Sequence, residues 1–335
     1  MLTAPLLLLL SLPGCAGEAA VGGAPGDGVP SGDRAAAVAP RPFLRVLGTA
    51  QDGGFPHAAC DCSRCRLARS GEGHERLVAS LAVVVPAREP TAPPRVYLID
   101  ATPDLRRQLD RLRDVRRPPD DRVDRAPVDG VFLTHAHIGH YLGLAFLGFE
   151  AVHTRDLPVH ASASMISFLR SNAPWDQLVA LGNISPVELR PDEAIDLSDG
   201  VAIRAFPVPH RDEYTDTVGY RITGPERTVM YVPDTDPWRS WSPSLIEALE
   251  GVDVALLDGA FWSADELPGR DVEDIRHPLV IDSMRLLRDR VKAGLDVRFT
   301  HLNHSNPLLD RDSEELRELE AAGFSVLAEL DEIGL

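Results

Sequence analysis

The sequence predicts a mixed α/β domain, and three observations carry that prediction. Short apolar runs of strand length alternate with amphipathic stretches of helix length along most of the chain. Some runs follow one another at hairpin distance, which favours antiparallel neighbours and disfavours a purely parallel, doubly wound sheet. Metal-capable side chains stand directly after several of the runs, at the ends of the expected strands. With 335 residues, 44% apolar and 25% charged, the chain is long enough for one large domain or two small ones.

Strands are expected at Phe43–Leu47, Leu81–Val85, Val96–Ile99, Val131–Leu133, Val201–Ala205, Val218–Ile222, Val229–Val232, Val254–Leu257 and Val297–Phe299. Helices are expected at Pro103–Val115, Ser244–Glu250, Ile281–Val291 and Ser313–Ala322, where apolar positions recur at helical spacing. The stretch from Arg106 to Arg125 mixes charge signs and reads as a helix end followed by a solvated loop. No internal repeat is evident.

Residues 1–15 read as an export signal: Leu6 to Leu10 form an apolar run, followed by Leu12-Pro13-Gly14-Cys15. The pattern resembles a bacterial lipoprotein signal, which implies cleavage and lipid attachment at Cys15. Residues 16–42, rich in Ala, Gly and Pro, would then be a disordered tether, with the folded domain at 43–335. No Lys or Arg precedes the run and Pro13 is unusual at its place, so a merely disordered N-terminus is the competing reading. No later segment is apolar for long enough to span a bilayer. Membrane association is therefore expected only through the lipid anchor. A net charge of −17 argues against nucleic acid or an anionic membrane surface as partner, and solubility alone explains it.

Thr134 to His140 reads T-H-A-H-I-G-H, which places three histidines directly after the apolar run Val131-Phe132-Leu133. Neutral imidazole is the commonest protein ligand for zinc and related ions, and a strand-to-helix turn can aim His135, His137 and His140 into one cavity. Solvated loop histidines would explain one of them but not three. His210, Asp234 and His301 each follow a strand in the same way and can complete the cluster. Each alone could equally be a turn or cap residue.

Cys60, Cys62 and Cys65 lie in the run C-D-C-S-R-C. Together with Cys15 they could form two disulfides, but residues this close make strained pairs and leave Cys15 without a sensible partner. A thiolate metal site fits better: three cysteines supply three corners of a tetrahedron, and a histidine most naturally supplies the fourth.

With these residues in place, the sequence resembles the metallo-β-lactamase superfamily, whose signature is H-x-H-x-D-H, then a later His, an Asp after a strand, and a final His. The resemblance implies an αββα sandwich with a two-metal site at one edge of its sheets. It implies that His135, His137 and His210 hold a first metal, His140 and His301 a second, and that Asp234 bridges them. Gly139 departs from the signature, standing where relatives carry an Asp that binds the second metal and orients the attacking water. Two imidazoles and a shared carboxylate then remain, a set that would hold the second ion weakly. Asp52, in the loop after the first strand, is a candidate substitute, and a turn aspartate before two glycines is the equally good alternative.

Finer strings resemble coenzyme PQQ synthesis protein B and its relatives: Asp52-Gly53-Gly54-Phe55-Pro56, Ala101-Thr102-Pro103-Asp104, Leu257-Asp258-Gly259-Ala260-Phe261-Trp262, and F-T-H-L-N-H-S-N-P at 299–307. The C-x-C-x-x-C run and the late H-x-x-H also resemble bacterial cyclic phosphodiesterases of phosphonate breakdown. That likeness makes His304 the fourth ligand of a structural zinc beside Cys60, Cys62 and Cys65.

The function these resemblances imply is hydrolysis of an ester or phosphodiester of a small molecule by metal-bound hydroxide. Asp234, with Asp52 as a candidate second carboxylate, would serve the catalytic centre, which would hold one or two zinc or iron ions. Two rival readings remain. One is an iron-dependent oxygenase step of the PQQ-biosynthesis type, open to an all-nitrogen-and-carboxylate site. The other is a non-catalytic ligand carrier in which Gly139 has removed catalysis. A true anchor at Cys15 places the protein in the cell envelope and favours the hydrolase; a cytoplasmic location favours the PQQ role. Trp238, Trp241, Phe261 and Trp262 read as core or lid packing, and His277, before Pro278, is ambiguous in the same way.

Overall fold

β1 (Phe43–Gly48) and β2 (Ser80–Val85), separated by α1 (Ser63–Ser70), are buried along nearly their whole length. Continuous apolar runs of this kind belong to strands covered on both faces. β3 (Arg95–Ile99) completes an antiparallel meander with them. After α2 (Leu105–Asp110) the chain enters β4 (Gly130–Phe132), parallel to β3, and then the one-turn α3 (Ile138–Tyr141). β5 (Leu157–Ala161), α4 (Ala163–Ser171), α5 (Trp175–Ala180) and β6 (Ile184–Glu188) extend the parallel part of this first sheet.

The second sheet begins with an antiparallel meander of β7 (Ala194–Ser198), β8 (Val201–Val208), β9 (Thr217–Thr223) and β10 (Thr228–Val232). It continues in parallel through α6 (Leu245–Ala248), β11 (Val254–Asp258), α7 (Val280–Lys292), β12 (Asp296–Thr300), α8 (Glu314–Ala321) and β13 (Ser325–Val326). β14 (Glu332–Gly334) returns to pair antiparallel with β1. The strand orders are β14-β1-β2-β3-β4-β5-β6 and β13-β12-β11-β10-β9-β8-β7.

Three apolar layers stack these elements. Leu81, Val83 and Val85 of β2 meet Tyr220, Ile222 and Tyr231 between the sheets. Ala82 and Val84, on the opposite face of β2, join a layer with Leu105, Leu169 and Leu178 of the first set of helices. Met230, Val232, Ala255 and Leu257 face Leu245, Met284, Leu287 and Leu319 of the second set. The architecture is an αββα sandwich with mixed sheets. This computed structural model describes residues 41–87, 89, 92–191, 193–266, 269 and 276–335. The expected signal at 1–15, with Cys15, and the expected tether up to residue 40 lie outside the described residues. Among the described residues no helix is long and apolar enough to cross a membrane.

Every expected strand is present within a residue or a few of its bounds. Leu133 falls just beyond β4, although its N–H still donates to His160 O. The helix expected over Pro103–Val115 is cut to α2, and turns follow it in which Arg111 reaches Glu329 at 2.7 Å and Arg116 reaches Asp129 at 2.6 Å.

Candidate metal centre

The site is assembled by turns that leave β1, β4, β8, β10 and β12. After β4, Thr134 donates from both N and Oγ1 to Asp100 Oδ1, at 2.8 and 3.0 Å, fixing the turn that carries the histidines. α3 starts immediately after His137 and brings His140 back over the turn, where its Nδ1 meets Asp100 Oδ2 at 2.7 Å. That contact holds the proton on Nδ1 and turns Nε2 inward. After β12, His301 adopts φ 60°, a left-handed conformation rare for histidine, and so faces the cluster while His304 faces the cysteines.

Asp234 Oδ2 is the hub. It lies 3.3 Å from His135 Nε2, 3.2 Å from His210 Nε2 and 3.8 Å from His137 Nδ1. It also lies 3.8 Å from His140 Nε2 and 4.0 Å from His301 Nε2. Both of those nitrogens stand 3.4 Å from Asp52 Oδ1. The sequence-expected residues thus fall into two sets, His135, His137 and His210 in one, His140, His301 and Asp52 in the other, with Asp234 between them.

Their spacing fits cations. Nitrogen and oxygen ligands about 2.1 Å from a tetrahedral ion lie roughly 3.4 Å from each other, and the contacts to Asp234 and Asp52 cluster near that value. His140 Nε2, His301 Nε2, Asp52 Oδ1 and Asp234 Oδ1 are buried without a hydrogen-bond partner among the described residues. Buried polar atoms left so are costly unless something binds them, and nitrogen and carboxylate donors suit zinc or iron alike.

The electrostatics agree. Burial opposes the charge on Asp234, yet His210, His301 and His277 hold it well below the usual carboxylate range. Burial works against Asp52 too, and His140 with His301 overcomes it in the same direction. His135 is pushed well down by burial and by His140, which favours the neutral ligand form. His140, despite burial, is raised well above its ordinary value by Asp100 and Asp52. His210 is likewise raised, to about 9, by Asp234 and Asp236 against its burial. Binding of a cation by these side chains would release protons from them.

Supporting residues that sequence reasoning did not single out complete the centre. Glu213 Oε2 lies 3.1 Å from His137 Nε2, and Asp236 Oδ1 lies 3.5 Å from His210 Nδ1. Asp258 accepts from Thr235 N, Ala260 N and His277 Nδ1, the last at 2.8 Å. His277 also stands 3.4 Å from Asp234 Oδ1, at the edge of the hub. The available signals for Asp258 were its strand-end position and the family-like string Leu257-Asp258-Gly259-Ala260-Phe261-Trp262 that contains it, and nothing local marks Glu213. Phe261 and Trp262 are buried packing, Trp241 is largely buried but borders a separate cavity, and Trp238 and His277 line a cavity of about 220 Å³ beside the hub.

Cys60, Cys62, Cys65 and His304 form a separate group. Cys60 Sγ and Cys62 Sγ lie 3.5 and 3.8 Å from His304 Nδ1, spacings suited to zinc with sulfur at about 2.3 Å. His57 N donates to Cys65 Sγ at 3.3 Å and Cys62 N to Cys60 Sγ at 3.4 Å. Burial, joined by the neighbouring Cys62 and Cys60, pushes the Cys65 thiol up to about 12, so a nearby cation is what would ionise it.

A family described as a beta-lactamase superfamily domain matches residues 95–293, more than half of the chain. Coenzyme PQQ synthesis protein B of Methylobacterium nodulans is 28% identical over 302 residues, covering 84% of this chain and 96% of that protein. The protein of the same name from Cupriavidus necator is 27% identical over 321 residues, covering 87% and 99%. Among solved structures, Zn(2+)-bound PqqB from Methylobacterium extorquens matches with a TM-score of 0.72 at 24% identity, covering 88% of this chain and 100% of that one. A diphosphatase from the PhnP family matches at 0.61 and 24%, covering 88% and 97%. Both likenesses show the same fold.

Proposed function

Because this chain belongs to the beta-lactamase superfamily, we propose that it is a metal-dependent hydrolase of a small-molecule ester or phosphodiester, with a separate structural zinc. The observation that carries this reading is Asp234 Oδ2, one carboxylate oxygen within 4.0 Å of five imidazoles. His135, His137 and His210 would hold one cation, His140, His301 and Asp52 a second, and Asp234 both. Cys60, Cys62, Cys65 and His304 would hold the structural zinc. A cation held there would lower the pKa of bound water to about 7 and would polarise the substrate oxygen.

The chain's own residues do the rest. Asp100, Thr134, Asp236 and Glu213 fix the imidazole orientations, so the donor atoms are preorganised. His277 lies beside the hub, its Nδ1 2.8 Å from Asp258 Oδ2 and 3.4 Å from Asp234 Oδ1, where it could donate a proton to a departing alkoxide. The adjoining cavity with Trp238 and Leu286 offers room for an apolar part of the substrate. The carrier reading started from a missing carboxylate at residue 139; Asp52 lies in that space and supports the hydrolase instead.

The likeness to coenzyme PQQ synthesis protein B favours a second reading, an iron-dependent oxidative step, which the same nitrogen and carboxylate donors would serve. The test is turnover of bis(4-nitrophenyl) phosphate and 4-nitrophenyl acetate by the zinc-, manganese- or iron-loaded chain and by Asp234→Asn. Hydrolysis that falls at least about a hundredfold in the variant supports the proposal. Hydrolysis unchanged in the variant, or none with any of the metals, overturns it.

A further inference from the structure

Arg204 in β8 stands directly opposite Arg221 in β9, and Arg221 stands directly opposite Met230 in β10. Like charges placed opposite one another on antiparallel strands repel. Arg221 donates to Ala248 O at 2.7 Å and Glu250 O at 2.9 Å, just where α6 ends, but neither acceptor is a carboxylate. Burial, and then Arg204, hold its pKa below the ordinary guanidinium value. Arg204 is exposed and has no carboxylate partner among the described residues.

Both side chains line one cavity of about 390 Å³, whose apolar wall is formed by Phe206, Met230 and Trp241. Gly219 allows this shape: a Cβ there would lie 2.8 Å from Phe206 Cζ, so the ring can lie across β9 only because residue 219 has no side chain. The volume is within the range of small-molecule sites. No described lining residue is acidic, in a chain whose net charge is −17. Two cations facing one another beside an aromatic wall, with no carboxylate partner among the described residues, are complementary to a ligand with a negative head and an apolar body.

We propose that this cavity binds a small amphipathic carboxylate, its head between Arg204 and Arg221 and its body against Phe206, Met230 and Trp241. Guanidinium is suited to that head because its fork matches a carboxylate in two parallel hydrogen bonds. The site is distinct from the candidate metal centre and needs none of its ligands.

Titration of the full chain with octanoate, read by tryptophan fluorescence through Trp241 and repeated with octanol as the neutral isostere, tests this. The expected result is a saturable change with octanoate alone, weakened about tenfold or more in Arg204→Gln and also in Phe206→Ala. Arg204 is exposed, so its replacement leaves the fold intact. No saturable change up to about 10 mM, equal binding of octanol, or unaltered affinity in Arg204→Gln would overturn the assignment.

Discussion

Asp52 fills the space that a side chain on residue 139 would need: a Cβ on Gly139 would stand 2.1 Å from Asp52 Oδ1 and 2.7 Å from its Cγ. The carboxylate absent from α3 is thus matched by one from the loop after β1, 3.4 Å from both His140 and His301. Gly139→Asp alone should gain no metal and should lower stability by about 1–3 kcal/mol through overpacking. Asp52→Ala should lose one cation, and the double change Asp52→Gly with Gly139→Asp should regain it. Metal content and thermal unfolding of the three variants check this; an extra ion in Gly139→Asp alone would contradict it.

His304→Ala should remove the proposed structural zinc and leave the other metals in place, because His304 Nδ1 faces Cys60 Sγ and Cys62 Sγ at 3.5 and 3.8 Å. The melting temperature should fall by an amount on the order of 10 °C. Loss of a metal that His135→Ala also loses, with the cysteine-bound ion retained, would reject the assignment.

Much of this was legible in the sequence because the site residues follow apolar strand runs, and a strand end is a fixed place in the fold. His135, His210, Asp234 and His301 were found in that way. The region from β5 to β7 was not. Leu157-Pro158-Val159-His160-Ala161 carries a proline and a histidine among its few apolar residues, and α1 buries only Cys65 and Ala68, so neither shows a clear periodic stripe. Glu213 meets His137, and Asp258 meets His277 and Thr235, all distant in sequence, and such pairing leaves no local pattern. The loss at Gly139 could be read directly, but the match by Asp52 depends on tertiary contact.

Glu213 meets His137 at 3.1 Å from an exposed loop position and would position it in the proposed centre. Glu213→Gln should weaken one catalytic cation by about 10- to 100-fold without unfolding the protein. Competition with a chromophoric chelator measures that affinity, and an unchanged value would remove Glu213 from the centre.

His160 in β5 stacks on Phe132 with ring centroids 4.4 Å apart, and its Nδ1 is buried without a hydrogen-bond partner among the described residues. Burial lowers its pKa, so the folded protein binds this proton less readily than the unfolded chain. The resulting stability is fully present above about pH 6.5 and is lost as pH falls below that value towards the folded pKa. His160→Gln should therefore lose less stability than the parent chain between pH 7.5 and pH 5.5, measured by denaturant unfolding. Parallel losses would show that His160 is not the titrating group.

The shared role of Asp234 is most directly tested by elemental analysis of the purified chain beside Asp234→Asn. The expected result is about three metal ions per chain, falling to about one, held by the cysteines, in the variant. Equal metal content in the two proteins would contradict a centre built around Asp234.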